Sequence, residues 1–470
     1  MDDLKGTRSP TSVRPMTISG QAIPTPTDHP GELSWPARSS AWYAVLVLAV
    51  VLMIGQVEAT IITFLIAPIK RDFKISDLQV SALVGVAPAI FYAVVGLPLA
   101  RLVDTLRRNI VLSVALGIGG IMTSAAGLAQ SFWQFGLCRV LVGGGGAVSN
   151  PGTYSIIADY FTRERLPRAI AVLSLGLILG RSVAPVMGGV LVGLTAGWST
   201  LHVVGLNIRN WQITFILSGC LGLIGAALML TVREPARRNR LMSPAGTAPS
   251  FVQVLGYIWT RRDVYAPQFL ALAFYAVESY GLESWRVEFL RRTYGWSAQF
   301  SGPVLGGCTL AAQMLGLFVG TRLAESLSRY SDDANLRTVG IFYLIAPPFA
   351  VLGPLMPNPW LAILCSSITG LCNMACVPAQ NAALQNITPN EMRGQVTAMY
   401  YFVLSAIGLG LGPSLMAFIT DYVIGNEDHL RYAMASTAAI MLPLAAVSIW
   451  CAVKPYGRAM GEVSSPPIQP

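Results

Sequence analysis

Residues 101–108 read Arg-Leu-Val-Asp-Thr-Leu-Arg-Arg, and residues 322–329 read Arg-Leu-Ala-Glu-Ser-Leu-Ser-Arg. All but one of the aligned positions are identical or chemically similar. Further landmarks recur at nearly the same separation: Pro151 with Pro378, Thr162 with Thr388, and Pro185 with Pro413. A nearly constant separation along so much of the chain indicates an internal duplication into two similar halves.

The composition excludes an ordinary soluble protein. Of the 470 residues, 53% are hydrophobic and only 12% are charged, whereas a soluble domain carries about a quarter charged residues. A chain this apolar cannot bury its side chains in one core and needs lipid around it. The net charge of +9 does not indicate nucleic-acid binding, because the Lys and Arg residues do not form clusters interleaved with aromatic residues.

Hydrophobic runs of about 20 residues are long enough to cross a bilayer core of roughly 30 Å. The sequence contains twelve such runs and therefore predicts an all-α integral membrane protein with two pseudo-symmetric six-helix bundles. The predicted spans are 41–66, 79–100, 110–130, 134–158, 169–194, 211–232, 264–288, 298–320, 338–356, 359–385, 391–419 and 431–453. The bundles cover 41–232 and 264–453, with a cytoplasmic linker over 233–263 and cytoplasmic tails over 1–40 and 454–470.

The distribution of Lys and Arg predicts the orientation. With both termini inside, the inner segments hold 22 of the 32 Lys and Arg residues, the outer loops hold seven, and the spans hold Arg139, Arg181 and Arg286. Positive charge concentrates on the cytoplasmic side of membrane proteins. We therefore expect a multi-pass protein of the cell (inner) membrane with both termini in the cytoplasm.

The polar segments and the cysteines add no further module. Residues 1–40 are polar and rich in Pro, Ser and Thr, without the pattern of a signal peptide, which predicts a disordered tail. The linker over 233–263 is basic and is expected to be flexible. All seven cysteines fall inside apolar runs, so we expect no disulfide. No His or further Cys completes a metal set beside Cys372 and Cys376, and neither a metal site nor a cofactor is expected.

The loop over 101–108 resembles the signature of the major facilitator superfamily, G-x-L-x-D-R-x-G-R. Leu102, Asp104 and Arg108 match marked positions, and Ala100 stands in place of the first Gly. The fourth and fifth helices also resemble family patterns, the latter an antiporter pattern, through Arg139, Gly143, Gly145, Gly180, Ala184, Pro185, Gly188 and Gly189. The resemblance implies a secondary transporter that works by alternating access without ATP hydrolysis.

Within that superfamily the chain resembles spinster-like proteins. The likeness is carried by Glu58 ahead of residues 67–72, by residues 91–101, and by residues 387–413. Spinster-like relatives carry lysophospholipids or sphingoid phosphates, so the resemblance implies an amphiphilic, lysolipid-like solute.

The resemblance also assigns a cytoplasmic gate and a hinge. A carboxylate at a helix N-terminus is stabilising, and in the family fold the loops around Asp104 and 388–393 meet when the gate is shut. The gate residues are then Asp104, Arg108, Glu325, Arg329, Glu391 and Arg393, with solvated loop charges as the alternative. The hinge residues are Gly180, Pro185, Gly188, Gly189, Gly412 and Pro413, with a rigid packing face as the alternative.

Charges inside the spans are costly and usually mark a solute or proton path. Glu58 and Arg139 fall at similar depths, and Glu58 occupies the position of the spinster-like first-helix acid. We interpret Glu58 as a proton-coupling carboxyl beside Arg139, with a static ion pair as the alternative. Gly146 and Ala59 replace residues of the family pattern, so the family's proton path is altered here.

Two more charges, Arg181 and Glu278, fall near the membrane midplane by residue count. Arg181 is suited to hold an anionic solute group, and Glu278 to take part in proton coupling, while a mutual salt bridge is the alternative. Glu283 and Arg286 are three residues apart and are expected to pair locally. The other candidate solute contacts, for which core packing is the alternative, are Tyr92, Tyr154, Phe274, Tyr275, Tyr400 and Tyr401.

These features predict a proton-coupled exporter of a small amphiphilic or hydrophobic solute. Uptake of an organic acid, anchored by Arg181, stays open, as does a non-transporting membrane sensor. An enzyme is not expected, because the chain lacks both a phosphate-binding G-K-[ST] loop and an H-E-x-x-H sequence. The expected partners are the small-molecule solute, protons and membrane lipids, and the protein is expected to act as a monomer.

Overall fold

The computed structural model describes residues 35–91, 94, 106–162, 165–198, 201–203, 206–236, 250–389 and 391–464. The described helices of the N-terminal half are α1 (Arg38–Thr60), α2 (Ile66–Phe73), α3 (Asp77–Ser81), α4 (Arg108–Ala126), α5 (Phe132–Tyr160), α6 (Leu166–Ala196) and α7 (Asn210–Leu230). A short 3₁₀ segment, Ile61–Phe64, extends α1, and a π-helical segment, Ala82–Val86, extends α3.

The linker and the C-terminal half continue the helical pattern. Their helices are α8 (Phe251–Thr260), α9 (Arg262–Tyr294), α10 (Ala298–Leu327), α11 (Ala334–Leu355), α12 (Pro359–Asn386), α13 (Arg393–Phe418) and α14 (Leu430–Ser464). A π-helical segment, Ile419–Ile424, extends α13. A two-stranded antiparallel hairpin, β1 (Leu201–Val203) with β2 (Leu206–Ile208), lies between α6 and α7 and was not predicted.

The predicted all-α membrane fold is confirmed. Nine helices of the described residues are long and apolar enough to cross a membrane, and α2 with the helix over 77–91, bent by 120°, forms a tenth candidate. The fourth and seventh predicted spans coincide with α5 and α9, which fall outside that group. In α9 the cause is its own polar and charged residues, such as Glu278 and Arg286. The predicted second span continues to residue 100, beyond the described part of that helix.

Helix starts at one end of the bundle are set by capping side chains. Ser76, Ser131, Ser297 and Asn358 precede α3, α5, α10 and α12, and each accepts a hydrogen bond from a backbone N–H two or three residues ahead. Such caps typically contribute about 0.5–2 kcal/mol each.

The two ends of the bundle differ in their core. We call the end with the start of α1 and the linker the linker end, and the opposite end the distal end. Near the linker end, one apolar cluster is built only from residues 41–232 and another only from residues 254–459. A third cluster contains residues of both halves, including Phe64, Trp211, Trp285 and Leu305, and it lies toward the distal end.

Glycines allow the halves to approach closely toward the distal end. A Cβ atom added to Gly302 of α10 would lie 2.4 Å from the carbonyl oxygen of Pro185 in α6, and one added to Gly306 would lie 2.4 Å from that of Ser182. Small residues let helix backbones touch in lipid, where no hydrophobic drive joins helices. The helices α6 and α10 therefore form a tight crossing between the halves.

Candidate solute and proton sites

A buried ionic cluster joins the two halves at the distal end. Asp77 at the first turn of α3 is fully buried and pairs with Lys70 of α2 at 2.5 Å and with Arg292 of α9 at 2.6 Å. Lys70 also reaches Glu427 of the C-terminal half at 2.6 Å, and Arg292 binds Glu288 at 2.7 Å. We call these five residues the distal cluster.

The distal cluster was not predicted from the sequence, in which Lys70 and Arg292 look like ordinary charges of the outer loops. The carboxylates of Asp77, Asp421 and Glu427 converge within 4.8 Å, a spacing that a metal ion also favours. Here the positive charges come from the protein itself, and Asp421 accepts a hydrogen bond from the Leu78 backbone N–H at 2.8 Å. The distal cluster therefore joins the two halves through ion pairs, and we refer to this connection as the lock.

Glu58 and Arg139 are both buried inside the N-terminal half, with 5% and 2% of their surface exposed. They interact electrostatically, yet no ion pair within 4.0 Å joins them among the described residues. Glu58 Oε1 and Arg139 Nη1 each lack a hydrogen-bond partner in that part of the chain. Buried polar groups are normally hydrogen-bonded. A guanidinium and a carboxyl that lie near each other without a hydrogen bond between them could therefore form that bond in another conformation.

The Glu58 carboxyl lies against a glycine of α7. A Cβ atom added to Gly222 would stand 2.2 Å from Glu58 Oε1, so glycine at this position makes the room that the carboxyl occupies. The hydroxyls of Thr123 in α4 and Ser218 in α7 are likewise buried without a partner in the described chain. The predicted proximity of Glu58 and Arg139 is thus found, without the static ion pair that was its alternative.

Glu278 and Arg181 do not form the salt bridge that was their alternative. Glu278 is 1% exposed, its Oε2 lacks a partner among the described residues, and Arg286 of the same helix is its charged neighbour. Arg181 is exposed, and both Arg181 and Glu278 lie within electrostatic range of the Tyr275 hydroxyl. Glu283 pairs with Arg286 as expected.

The predicted aromatic contacts separate into two groups. Tyr154 of α5 and Tyr401 of α13 are 38% and 41% exposed, and their hydroxyls lie within electrostatic range of each other across the halves. The Tyr401 hydroxyl donates to Asn381 at 3.0 Å. Tyr275 stacks on Tyr343, with ring centroids 5.5 Å apart.

Tyr400 is 4% exposed and packs edge-on against Phe269 in the C-terminal core. The expectation that it lines a solute path is therefore wrong in this conformation. Phe274 is partly buried against the same core, and Tyr92 lies outside the described residues.

The predicted gate residues that the structure describes do not meet across the linker end. Arg108 is buried and pairs with Asp159 of the N-terminal half at 2.6 Å and with Glu234, at the start of the linker, at 2.8 Å. Arg393 donates to the backbone carbonyls of Gln385 and Thr388 in its own half. Glu325, Arg329 and Glu391 are exposed, and Asp104 lies outside the described residues.

The predicted hinge residues all lie at close helix crossings. Gly180 packs on α1 near Met53, Gly188 on Phe64, and Gly189 on Gln299 of the opposite half. A Cβ atom added to Gly412 of α13 would lie 2.5 Å from the carbonyl oxygen of Val277. Pro185 and Pro413 lie inside α6 and α13. The carbonyl oxygen of Pro185 contacts Gly302, and that of Pro413 accepts a hydrogen bond from the Trp285 indole N–H at 3.0 Å.

Comparisons with known proteins agree with this architecture. The model of the Major Facilitator Superfamily matches residues 46–413. An MFS-type efflux pump of Mycolicibacterium smegmatis is 29% identical over 442 residues, which is 93% of this chain and 97% of that protein. Protein spinster homolog 3 of Mus musculus is 24% identical and covers 89% of this chain and 82% of its own length.

A solved structure also matches closely. It is the crystal structure of a bacterial homolog to the human lysosomal transporter Spinster, in an inward-facing and unoccupied conformation. The TM-score is 0.76 at 26% sequence identity, over 92% of this chain and 100% of that one. Since the family model spans most of the chain and the fold agrees, the chain belongs to the Major Facilitator Superfamily, within which it is similar to the spinster proteins.

Proposed function

We propose that this transporter exports a small amphiphilic organic solute, of a lysolipid-like kind, in exchange for protons. In this proposal the linker end faces the cytoplasm, as the Lys and Arg distribution indicates. The solute enters between the halves from the linker end and leaves when the distal cluster opens. The similarity to an efflux pump supports this direction.

The observation that carries the proposal is the unpaired state of Glu58 and Arg139. A charge inside a membrane span is energetically costly and usually marks a solute or proton path. Both groups also keep a buried polar atom without a partner in the described chain. A carboxyl held apart from the guanidinium is stabilised with its proton, and a carboxyl paired with it is stabilised without the proton. Movement between these positions would couple proton transfer to the transport cycle.

The surroundings of Arg181 suit the solute's polar group. Arg181 is exposed and lies near Tyr275, and in the described chain it makes no ion pair. Arg binds carboxylate and phosphate groups with two parallel hydrogen bonds. The exposed rings of Tyr154 and Tyr401 supply apolar surface from both halves, which fits a solute with an anionic head and an apolar body.

Proton signals from purified protein in proteoliposomes would test this proposal. A panel of lysophospholipids, sphingoid phosphates and organic acids is added to wild type, Glu58→Gln and Glu283→Gln. We expect a solute-triggered proton signal in wild type that is lost in Glu58→Gln. It should persist in Glu283→Gln, because that carboxylate is half exposed and paired locally with Arg286. A full proton signal in Glu58→Gln would refute the role of Glu58.

Uptake of an organic acid is the second candidate, and the exposed, unpaired Arg181 among the described residues favours it. The same experiment separates the two functions. A signal from short organic acids, and none from amphiphiles, would support uptake of an organic acid. Solute movement without any proton signal would indicate facilitated diffusion and would leave Glu58 as a structural neighbour of Arg139.

A further inference from the structure

The linker contains an ordered helix where the sequence predicts only a flexible, basic segment. Helix α8 (Phe251–Thr260) begins with a capping box, in which Ser250 and Gln253 bond each other's backbone N–H groups. Only Arg261 separates α8 from α9. Helix α8 is therefore held at the linker end of the seventh predicted span.

One face of α8 is packed against the C-terminal half. Val254 is fully buried in the C-terminal core, and Tyr257 and Ile258 pack against that core. The Tyr257 hydroxyl donates to the carbonyl oxygen of Ile387 at 3.1 Å, just after α12 ends. This face fixes the rotation of the helix about its axis.

The rest of α8 is exposed and divides into an apolar and a polar strip. Phe251, Leu255 and Trp259 are four residues apart, with Val252 beside them, so they form one strip along the helix. Their side chains are 60%, 47%, 70% and 76% exposed, in the order Phe251, Leu255, Trp259, Val252. The polar strip is also exposed and consists of Gln253, Gly256 and Thr260.

Positive charge lies at the C-terminal end of the apolar strip. The Arg262 guanidinium stands 5.5 Å from the Trp259 ring centroid, and Arg262 is exposed. Arg261 stands 5.7 Å from the Tyr257 ring centroid. Trp and Arg together at the end of an amphipathic helix match the headgroup layer, where apolar rings and cations both find partners.

We propose that α8 lies in the headgroup layer of the membrane leaflet at the linker end and binds anionic phospholipids there. The apolar strip enters the upper acyl region, the polar strip faces water, and Arg262 binds lipid phosphate. A surface helix needs both exposed strips, whereas a helix that is covered by protein does not. This surface is separate from the proposed solute and proton sites.

Such binding would reach the predicted gate. The same carbonyl of Ile387 that accepts from Tyr257 begins the loop to α13, and Tyr265 of α9 bonds the Thr388 hydroxyl at 2.9 Å. A change in the position of α8 would therefore shift the loop that begins at Ile387 and Thr388. The composition of the leaflet is thereby linked to the segment that carries Glu391 and Arg393.

Spin-label accessibility tests the position of α8 without any transport measurement. Full-length protein with its native cysteines replaced carries one label, at Leu255→Cys or at Thr260→Cys, and is reconstituted in phosphatidylcholine vesicles with or without phosphatidylglycerol. We expect the label at 255 to collide with oxygen and the label at 260 to collide with a water-soluble nickel complex. A second apolar-strip label, Val252→Cys, should repeat the result at 255.

The contribution of Arg262 is tested on the same labelled protein. The label at 255 should sit deeper with phosphatidylglycerol present, and Arg262→Gln should abolish that difference, whereas Arg329→Gln, an exposed cation elsewhere, should not. Equal exposure of both labels to nickel would overturn the proposal. Protection of the label at 255 from both reagents would also overturn it, and would show that a second copy or another protein covers the strip.

Discussion

The distal end and the linker end of this transporter are built from the same kinds of residue but connected differently. At the distal end, one apolar cluster and the ion pairs of Arg292 with Asp77 and of Lys70 with Glu427 cross from one half to the other. At the linker end, the described ion pairs, such as Arg108 with Asp159 and Arg337 with Asp333, stay within a half.

The difference shows that the contacts at the distal end must be broken before the two halves can rotate relative to each other. In alternating access the two halves move as bodies about a central site. The linker end already keeps its cores separate, so the free energy that holds this conformation resides in the distal contacts. Loss of a distal contact should therefore change the conformation most, and loss of a linker-end contact least.

The largest expected effect is that of Arg292→Gln. Arg292 and Asp77 are 3% and 0% exposed, and removal of one partner of a buried ion pair costs about 3–5 kcal/mol. The distal end should open. Pulsed electron resonance between spin labels at Arg71→Cys and Val423→Cys, exposed positions in the two halves, should record a longer distance in the variant.

The neighbouring Arg291 is the matched control for Arg292. Its side chain is 46% exposed and pairs with Glu288 in its own helix. Arg291→Gln should leave the distance between the labels unchanged. An unchanged distance in Arg292→Gln as well would contradict the assignment of the distal cluster as the lock.

A smaller effect is expected from Gly302→Ala at the crossing of α10 with α6. The added methyl group would meet the Pro185 carbonyl at 2.4 Å, and forcing extra volume into a packed contact costs about 1–3 kcal/mol. The same label pair should show a partial shift to longer distances. Gly307→Ala has open space around its Cβ position and should behave as wild type; equal behaviour of both variants would exclude a tight crossing.

The smallest effect is expected from Arg337→Ala at the linker end. Arg337 is 48% exposed, so its pair with Asp333 contributes less than about 1 kcal/mol. Burial acts to raise the pKa of Asp333, but hydrogen bonds from Arg337 and Ser331 outweigh it and hold that pKa below its ordinary value of 3.8. The ionised Asp333 carboxylate therefore stabilises the folded protein at pH values above 3.8, and this stabilisation is lost as the pH falls through the lowered pKa of Asp333.

Thermal unfolding of wild type and Arg337→Ala at neutral and at acidic pH measures that contribution. The melting temperature should differ slightly at neutral pH, and the two proteins should converge under acidic conditions. The spin-label distance at the distal end should not change. A distance change in this variant would show that the linker end also contributes to the lock.

The fold was predictable because it depends on local chemistry. Apolar runs of sufficient length must become helices in lipid, where every backbone polar group needs an internal partner. The positions of α4, α6 and α7 follow from that rule, and the repeat around Arg101 and Arg322 predicts the two halves. Helix α8 was missed because ten residues with a mixed pattern do not reach the length of a span.

The site was predictable only in part. Glu58, Arg139, Arg181 and Glu278 stand out because charges in spans are rare. Tyr400 was misjudged because Tyr400 and Tyr401 look alike in sequence, and only the rotation of α13 buries one ring and exposes the other. The distal cluster could not be recognised in the sequence, because Asp77 and Arg292 look like ordinary loop charges. Only the packing of the helices buries them.

The sequence by itself determined that the chain is a duplicated helical membrane protein, and which few charges it places in the bilayer. Hydrophobic length and charge bias act locally, so they can be read without knowing any contact. The tertiary structure alone decided which charges are paired. Glu58 faces Gly222 and stays unpaired, Arg108 is used within one half, and Asp77 locks the two halves together. Those outcomes depend on distances between residues far apart in the chain, which only the packing of the helices sets.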